Sequence, residues 1–203
     1  MQAFSNDPPF GRGVYQTFVT GTAAAEQFGY GILGCEWDFP DLLWDTGNNA
    51  PPTIRSSTPV RCRLVKNNTG SAILPKYLCK IDPADAGSIT ALTTATTDQF
   101  APADEFLPAA GVPDKGLFWV VVRGSAKVIT AATVLENIAA GDYLNASGVT
   151  TGTINIFDWA AVPTTATPFE AFALTWKNAR ARATANHTAA GGGGATITIQ
   201  MTE

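Results

Sequence analysis

The chain has 203 residues, 45% of them hydrophobic, with 17 acidic and 13 basic side chains and a formal net charge of -4. That length buries a sizeable core in one domain with an appendage or in two small ones, and charged residues make up only 15% of the chain, their usual share being taken by Thr, Ala, Gly and Pro. The acidic balance argues against binding a phosphate backbone, whose affinity comes from clustered Lys and Arg, so nucleic acid is not an expected partner.

The segment Met1 to Pro9 shows no basic stretch leading into an apolar one, and so does not read as a secretory signal. No apolar run approaches the roughly 20 residues of a membrane span. The expectation is a soluble protein made in a cytoplasm, with no membrane partner. Cys35, Cys62 and Cys79 are odd in number and lack Cys-x-x-Cys spacing, which favours buried free thiols over a disulfide framework or a zinc site.

Residues 1–57 are interrupted every few positions by Gly, Pro, Asn or Thr, and no periodicity persists in them beyond a short piece from Val14 to Val19. They nevertheless carry Phe4, Phe10, Tyr15, Phe18, Phe28, Tyr30, Trp37, Phe39 and Trp44. Solvated disordered chain is poor in aromatics. The segment therefore reads either as an extended arm lying in grooves of its own body or of a neighbour, or as loops around a small core.

From Thr58 onward, strands alternate with turns. Val60, Cys62 and Leu64 alternate with Arg61 and Arg63, and Asn67-Asn68-Thr69-Gly70 makes a turn from residues that tolerate positive φ. Ile73, Tyr77, Cys79 and Ile81 alternate with Lys76 and Lys80, predicting a second strand hairpinned to the first. Ser88 to Ala91 reads as a short strand, and Thr93 to Asp114 as a long excursion with contacts of its own.

Gly116 to Ile129 holds the longest apolar run and is the strongest strand of the chain. Strict alternation puts Phe118, Val120, Val122, Ala126 and Val128 on one core face. Leu117, Trp119 and Val121 then fall on the other, where a second layer must cover them. Ala131 to Ile138 reads as a turn or a short helix. Strands follow at Gly141 to Leu144, Thr153 to Trp159 and Phe172 to Trp176, with a turn over Asn145 to Gly148. Lys177 to Thr188 shows helical spacing, and Ala195 to Thr202 closes the chain as a strand with one buried and one wet face. Residues 58–203 thus form a β-rich body, and the absence of long crossover helices favours a sandwich or barrel over a parallel sheet.

Chemical motifs are sparse. His187 is the only histidine and stands beside four glycines without an evident partner. Gly29 to Gly34 matches the spacing of a dinucleotide loop, but the following Cys35 to Pro40 is a poor helix start, so chance explains it. Glu36, Asp38, Asp41 and Asp45 offer oxygens to a hard cation without the spacing of a calcium loop. They read instead as a solvated stretch, or as partners of Arg55, Arg61 and Arg63. Asp158 and Glu170 are candidates for a paired-carboxylate reaction, with no sign that they meet in a cleft. Three Asn-x-Ser/Thr triplets, at Asn67, Asn145 and Asn186, read as accidents of a Thr-rich chain. Arg180, Arg182 and Lys177 read as a solvated basic patch. The chain is not expected to be an enzyme or to hold a metal or cofactor.

The order of elements is more telling than any one residue. Val65-Lys66-Asn67-Asn68-Thr69-Gly70, Leu74 to Ile81, the Gly116 to Ile129 strand, Ala140-Gly141-Asp142-Tyr143-Leu144, Phe172-Ala173-Leu174 and the final Thr196-Ile197-Thr198-Ile199 together resemble the head decoration, or cement, proteins of tailed bacteriophages. The start Phe10-Gly11-Arg12-Gly13-Val14-Tyr15 is similar to that of some such proteins. The long aromatic arm and the Arg-rich, Gly-rich insertion before the last strand depart from shorter members. The resemblance implies an antiparallel β-barrel or β-tulip; together with the residue pattern, the expected fold is mainly β, a barrel, tulip or sandwich with a long irregular N-terminal arm. It also implies a place on the outer capsid surface of the virion, with the major capsid protein and other copies of the chain, as a homotrimer, for partners. On that view Phe10, Arg12, Tyr15, Phe18, Trp37, Trp44 and Trp119 are the candidate interface anchors. The alternative is a β-rich module of a fibre or tail that recognises a carbohydrate or receptor on Trp and Tyr platforms.

Overall fold

The computed structural model describes residues 8, 10–17, 33–43, 53–82, 84–96, 98–131, 138–147, 150–156, 181–186 and 195–202. Among them the regular structure is entirely β. The strands are β1 (Gln16–Thr17), β2 (Glu36–Leu43), β3 (Thr53–Asn67), β4 (Leu78–Lys80), β5 (Ser88–Ile89), β6 (Phe100–Pro102), β7 (Gly116–Ile129), β8 (Tyr143–Ala146), β9 (Ile154–Ile156), β10 (Ala181–Ala183) and β11 (Thr196–Met201). The main sheet runs in the order β2-β3-β7-β11-β10-β8-β9, with β1 added to β7 and β5 to β3, while β4 and β6 form a separate pair. Its ladders are antiparallel except the short β3–β5 one. The path ends at β2 and β9 with no described ladder between them, and an isolated parallel bridge ties Thr130, just past β7, to Ile154 of β9; among the described residues the sheet does not close into a full barrel.

β7 is the strand the sheet is built on. Its first half pairs with β3, from Lys66 opposite Leu117 to Arg61 opposite Arg123, and its second half with β11, from Gly124 opposite Met201 to Ile129 opposite Thr196. Between Val121 and Arg123 the β3 ladder shifts, so that Val122 is an extra residue, and Gly124 takes a φ of +99°. This bulge corrects the expected faces. Leu117, Trp119 and Val121 lie in the same core cluster as Ala126 and Val128, whereas Phe118 and Val120 belong to a second cluster with Val65, Ile73, Ile89 and Val112. One inserted residue exchanges the two faces of everything beyond it.

Other expectations are also redrawn. β4 does not hairpin onto β3; it pairs with β6, drawn from the Thr93 to Asp114 excursion, so that Phe100 and Ala101 become core. The helical spacing near residue 182 gives way to β10, which sits between β11 and β8 with Ala181 and Ala183 buried and Arg182 exposed. Two open ladders override weak helical propensity there. The N-terminal segment supplies β1 and β2, and β3 begins at Thr53, running through the expected boundary after residue 57. Pro40 and register shifts on both sides of Asp41 hide β2 from any period-two reading. The turn after Asn67, the short β5 and the alternating β11 are as expected. The expected strand at Phe172 to Trp176, and most of the Ala131 to Ile138 stretch, lie outside the described residues.

Candidate functional site at the Trp119 seam

Trp119 stands opposite Leu64 in the β3–β7 ladder and is fully buried. Its cover comes from the N-terminal segment. Phe39 packs at 5.1 Å between ring centroids, Trp37 at 5.4 Å and Phe10 at 5.5 Å, the first two edge-on and the third tilted. Such edge-to-face contacts suit the ring quadrupoles. The indole Nε1–H donates to the Phe10 carbonyl at 3.1 Å, so the ring's one polar atom is satisfied where water is excluded.

The polar clamp beside it is Asp104. Its carboxylate accepts from Arg12 Nε at 3.1 Å, Arg12 Nη2 at 2.9 Å and the Gly13 amide at 3.1 Å, while its own amide donates to the Trp119 carbonyl at 3.2 Å. Burial works against the Arg12 charge, but Asp104 outweighs it and holds the guanidinium's pKa above its ordinary value. Gly13 has a φ of +80°, and a Cβ there would lie 2.8 Å from that of Phe106, so the chain approaches as only glycine allows. Gln16 and Thr17 then pair with Leu117 and Gly116.

Glu105 holds a second clamp. Arg55 of β3 binds Glu105 at 2.8 Å and Asp41 at 2.7 Å, and donates to the Ser125 carbonyl of β7 at 3.3 Å; Lys127 reaches Glu105 at 3.3 Å. Adjacent acids thus fasten two separate N-terminal elements, the Arg12 arm and the β2–β3 pair, to the body. The acidic cluster is resolved as the pairing reading expects: Glu36 with Arg63 at 2.7 Å, Asp38 with Arg61 at 2.9 Å, and Asp41 with Arg55. Asp45 lies outside the described residues.

The expected anchors separate into groups. Phe10 and Trp119 are buried in the chain's own core, Trp37 is half-buried against it, Tyr15 packs on the second cluster, and Arg12 is spent on Asp104. Phe18 and Trp44 lie outside the described residues, as do His187, Asp158, Glu170, Lys177, Arg180 and the start of the Gly29 to Gly34 loop. Asp104 and Glu105 are not singled out by the sequence, where two consecutive acids amid Pro and Ala are their only signal, and Phe39 stands there among the aromatics of the N-terminal segment without being marked as an anchor. Asn67 and Asn145 are buried, Asn67 Nδ2 donating to the carbonyls of Ser71 and Val112, so neither is presented as a glycan acceptor. Cys62 and Cys79 are buried, and burial pushes both thiols up, whereas Cys35 is exposed, against expectation. Among the described residues no three of His, Cys, Asp and Glu are placed to hold a metal. The seam's contacts join the N-terminal segment to the body of the same chain. Compared with known proteins, the chain matches no family model and no curated protein.

Proposed function

We propose that the protein is a non-enzymatic capsid decoration, or cement, protein that binds the outer face of a viral head and strengthens contacts between major capsid subunits, acting alongside other copies of itself. The supporting observation is the ribbon formed by β2 and the first half of β3. Beyond Val60, β3 leaves β7 and pairs with β2 alone among the described strands, and near its far end Ile54 is 73% and Leu43 is 43% exposed. Arg55, next to Ile54, ties the far end of the ribbon to Glu105 and to the Ser125 carbonyl of β7, so the exposed Ile54 and Leu43 are fixed in place and present aliphatic surface at little ordering cost. Many such modest contacts, repeated over a shell, hold firmly without any reactive group.

The carbohydrate-binding alternative draws less support. Among the described residues the exposed large apolar side chains are Val14, Leu43, Ile54 and Leu74, all aliphatic, while the aromatic cluster faces inward. The test is retention of Ile54→Asp and Leu43→Asp on purified expanded heads by sedimentation. Each is expected to lower occupancy at least about tenfold with the melting temperature kept, the scale of one well-buried apolar contact. Wild-type occupancy by both variants, or glycan binding by the isolated protein, would overturn the reading.

A further inference from the structure

Within the β2–β3 ribbon the ladder is interrupted in both strands at one level. Phe39 stands opposite Val60, and the next pair is Asp41 opposite Ser56, so Pro40 on one strand faces Ser57, Thr58 and Pro59 on the other. A proline has no amide to give a ladder, and each strand carries one at the interruption. The Ser56 hydroxyl serves this stretch locally, donating to the Thr58 carbonyl at 3.2 Å and accepting from the Thr58 amide at 3.3 Å. Toward its start, β3 pairs with β7 no further than Arg61. The distal piece, residues 41–43 with 53–56, is thus joined to the body through two interrupted strands.

Arg55 spans from this piece to the body. Its Nη1 meets Glu105 Oε1 at 2.8 Å, and its Nη2 donates to the Ser125 carbonyl at 3.3 Å. Its other partner, Asp41 Oδ1 at 2.7 Å, lies on the distal piece itself. Glu105 in turn holds Lys127 of β7 through Oε2 at 3.3 Å. The four charges therefore divide into two neutral pairs, Asp41 with Arg55 on the piece and Glu105 with Lys127 on the body. Parting them leaves each charge with a counter-charge, and so avoids most of the cost of breaking a buried ion pair. The closed arrangement also carries a penalty, because Asp41 Oδ2 is buried and accepts no hydrogen bond among the described residues. Turning the piece outward gives that oxygen to water.

We infer that residues 41–43 and 53–56 are a hinged flap that Arg55 latches to Glu105 and Ser125, with Pro40 and residues 57–59 as the hinge, and that the closed latch sets the direction in which Ile54 is presented. The use of that direction on a shell rests on the proposed function; the latch does not. Opening is local, at a free energy below that of unfolding the core.

Native-state amide exchange tests the latch on the protein alone. In wild type the amides of residues 41–43 and 53–56 are expected to exchange through an opening that low urea does not accelerate, whereas those of the β7–β11 ladder follow global unfolding. Glu105→Gln keeps the side chain's shape but removes the charge facing Arg55. It should speed the flap amides at least about tenfold more than the ladder amides, the scale of weakening a hydrogen bond between charged groups. Arg55→Lys, which cannot fork to Asp41, Glu105 and the Ser125 carbonyl together, should fall in between. Flap amides that exchange only with global unfolding, or equal acceleration of flap and ladder in the variants, overturn the inference. Retention on purified heads by sedimentation separates the latch from the proposed function. Glu105→Gln should be retained less than wild type, and equal retention with a loosened flap overturns the link between closure and binding. A loosened flap with no head binding even by wild type overturns the proposed function and leaves the latch standing; wild-type head binding with uniform exchange does the reverse.

Discussion

Asp104 shows how much one side chain can organise. Its bonds to Arg12 and Gly13 are made at zero side-chain exposure, where removing one partner strands the other charge at a cost of about 3–5 kcal/mol. Arg12→Asp and Asp104→Arg should each destabilise by that amount in urea titrations. The double variant should recover at least half, since it restores opposite charges in one place; additive losses would show that the pair is not coupled. Asp98 makes a separate prediction. Burial alone would raise its pKa, but Lys80 at 2.8 Å and the amides of Thr94 and Ala95 at 2.8 and 3.0 Å overcome this and hold it below the ordinary value. A depressed folded pKa gives stability that is complete above the unfolded value near 3.9 and is lost as pH falls through the folded one. The stability gap between wild type and Asp98→Asn should thus be constant above about pH 5 and shrink below about pH 4. A gap that is flat down to pH 2 would contradict the assigned hydrogen bonds.

At the scale of elements, the bulge in β7 determines which side chains meet. Without Val122 as an extra residue, Ala126 and Val128 would share a face with Phe118 and Val120, and β11 would turn Ile197, Ile199 and Met201 away from the first core cluster. Gly124 makes the bulge workable. A Cβ there would approach the Pro59 carbonyl and the Val60 Cα, both at 3.1 Å, on a backbone with φ of +99°. Gly124→Ala should cost about 1–3 kcal/mol from the positive φ and this crowding, and should loosen the β3–β7 contact first. Amide exchange that stays unchanged at Val60 to Arg63 would refute that order. The sequence shows β7 and β11 clearly because their apolar runs are long or strictly alternating. β2 and β10 are hidden, one by Pro40 and bulges, the other by three residues of helix-prone composition.

For the whole molecule, the N-terminal segment is cover for the core before it is anything else. Removing residues 1–17 takes away Phe10, Arg12 and β1 together, and so opens one side of Trp119. The truncated protein should show red-shifted tryptophan emission and a melting temperature lower by about 5–15 °C, given roughly 2–4 °C per kcal/mol for a chain of this size. Unchanged emission would mean that the arm is dispensable to the seam. Loss of capsid binding on deleting the arm would not by itself identify an interface, because the same residues hold the body together. The point variants on the ribbon separate the two roles.

Composition and alternation by themselves determined the β character of the chain, the strands at residues 116–129 and 196–201 and the turn after Asn67, and they put the arginines that pair with Glu36, Asp38 and Asp41 among the candidates without choosing between pairing and solvation. These follow from local period, turn chemistry and charge. The tertiary structure alone decided that Phe10 caps an indole 109 positions away, that Asp104 and Glu105 fasten two distant elements, and that the faces of β7 exchange at Val122. Such contacts join residues far apart in the chain, and a bulge depends on how two strands fit rather than on the pattern of either. The sequence shows that Trp119 needs cover; only packing selects what provides it.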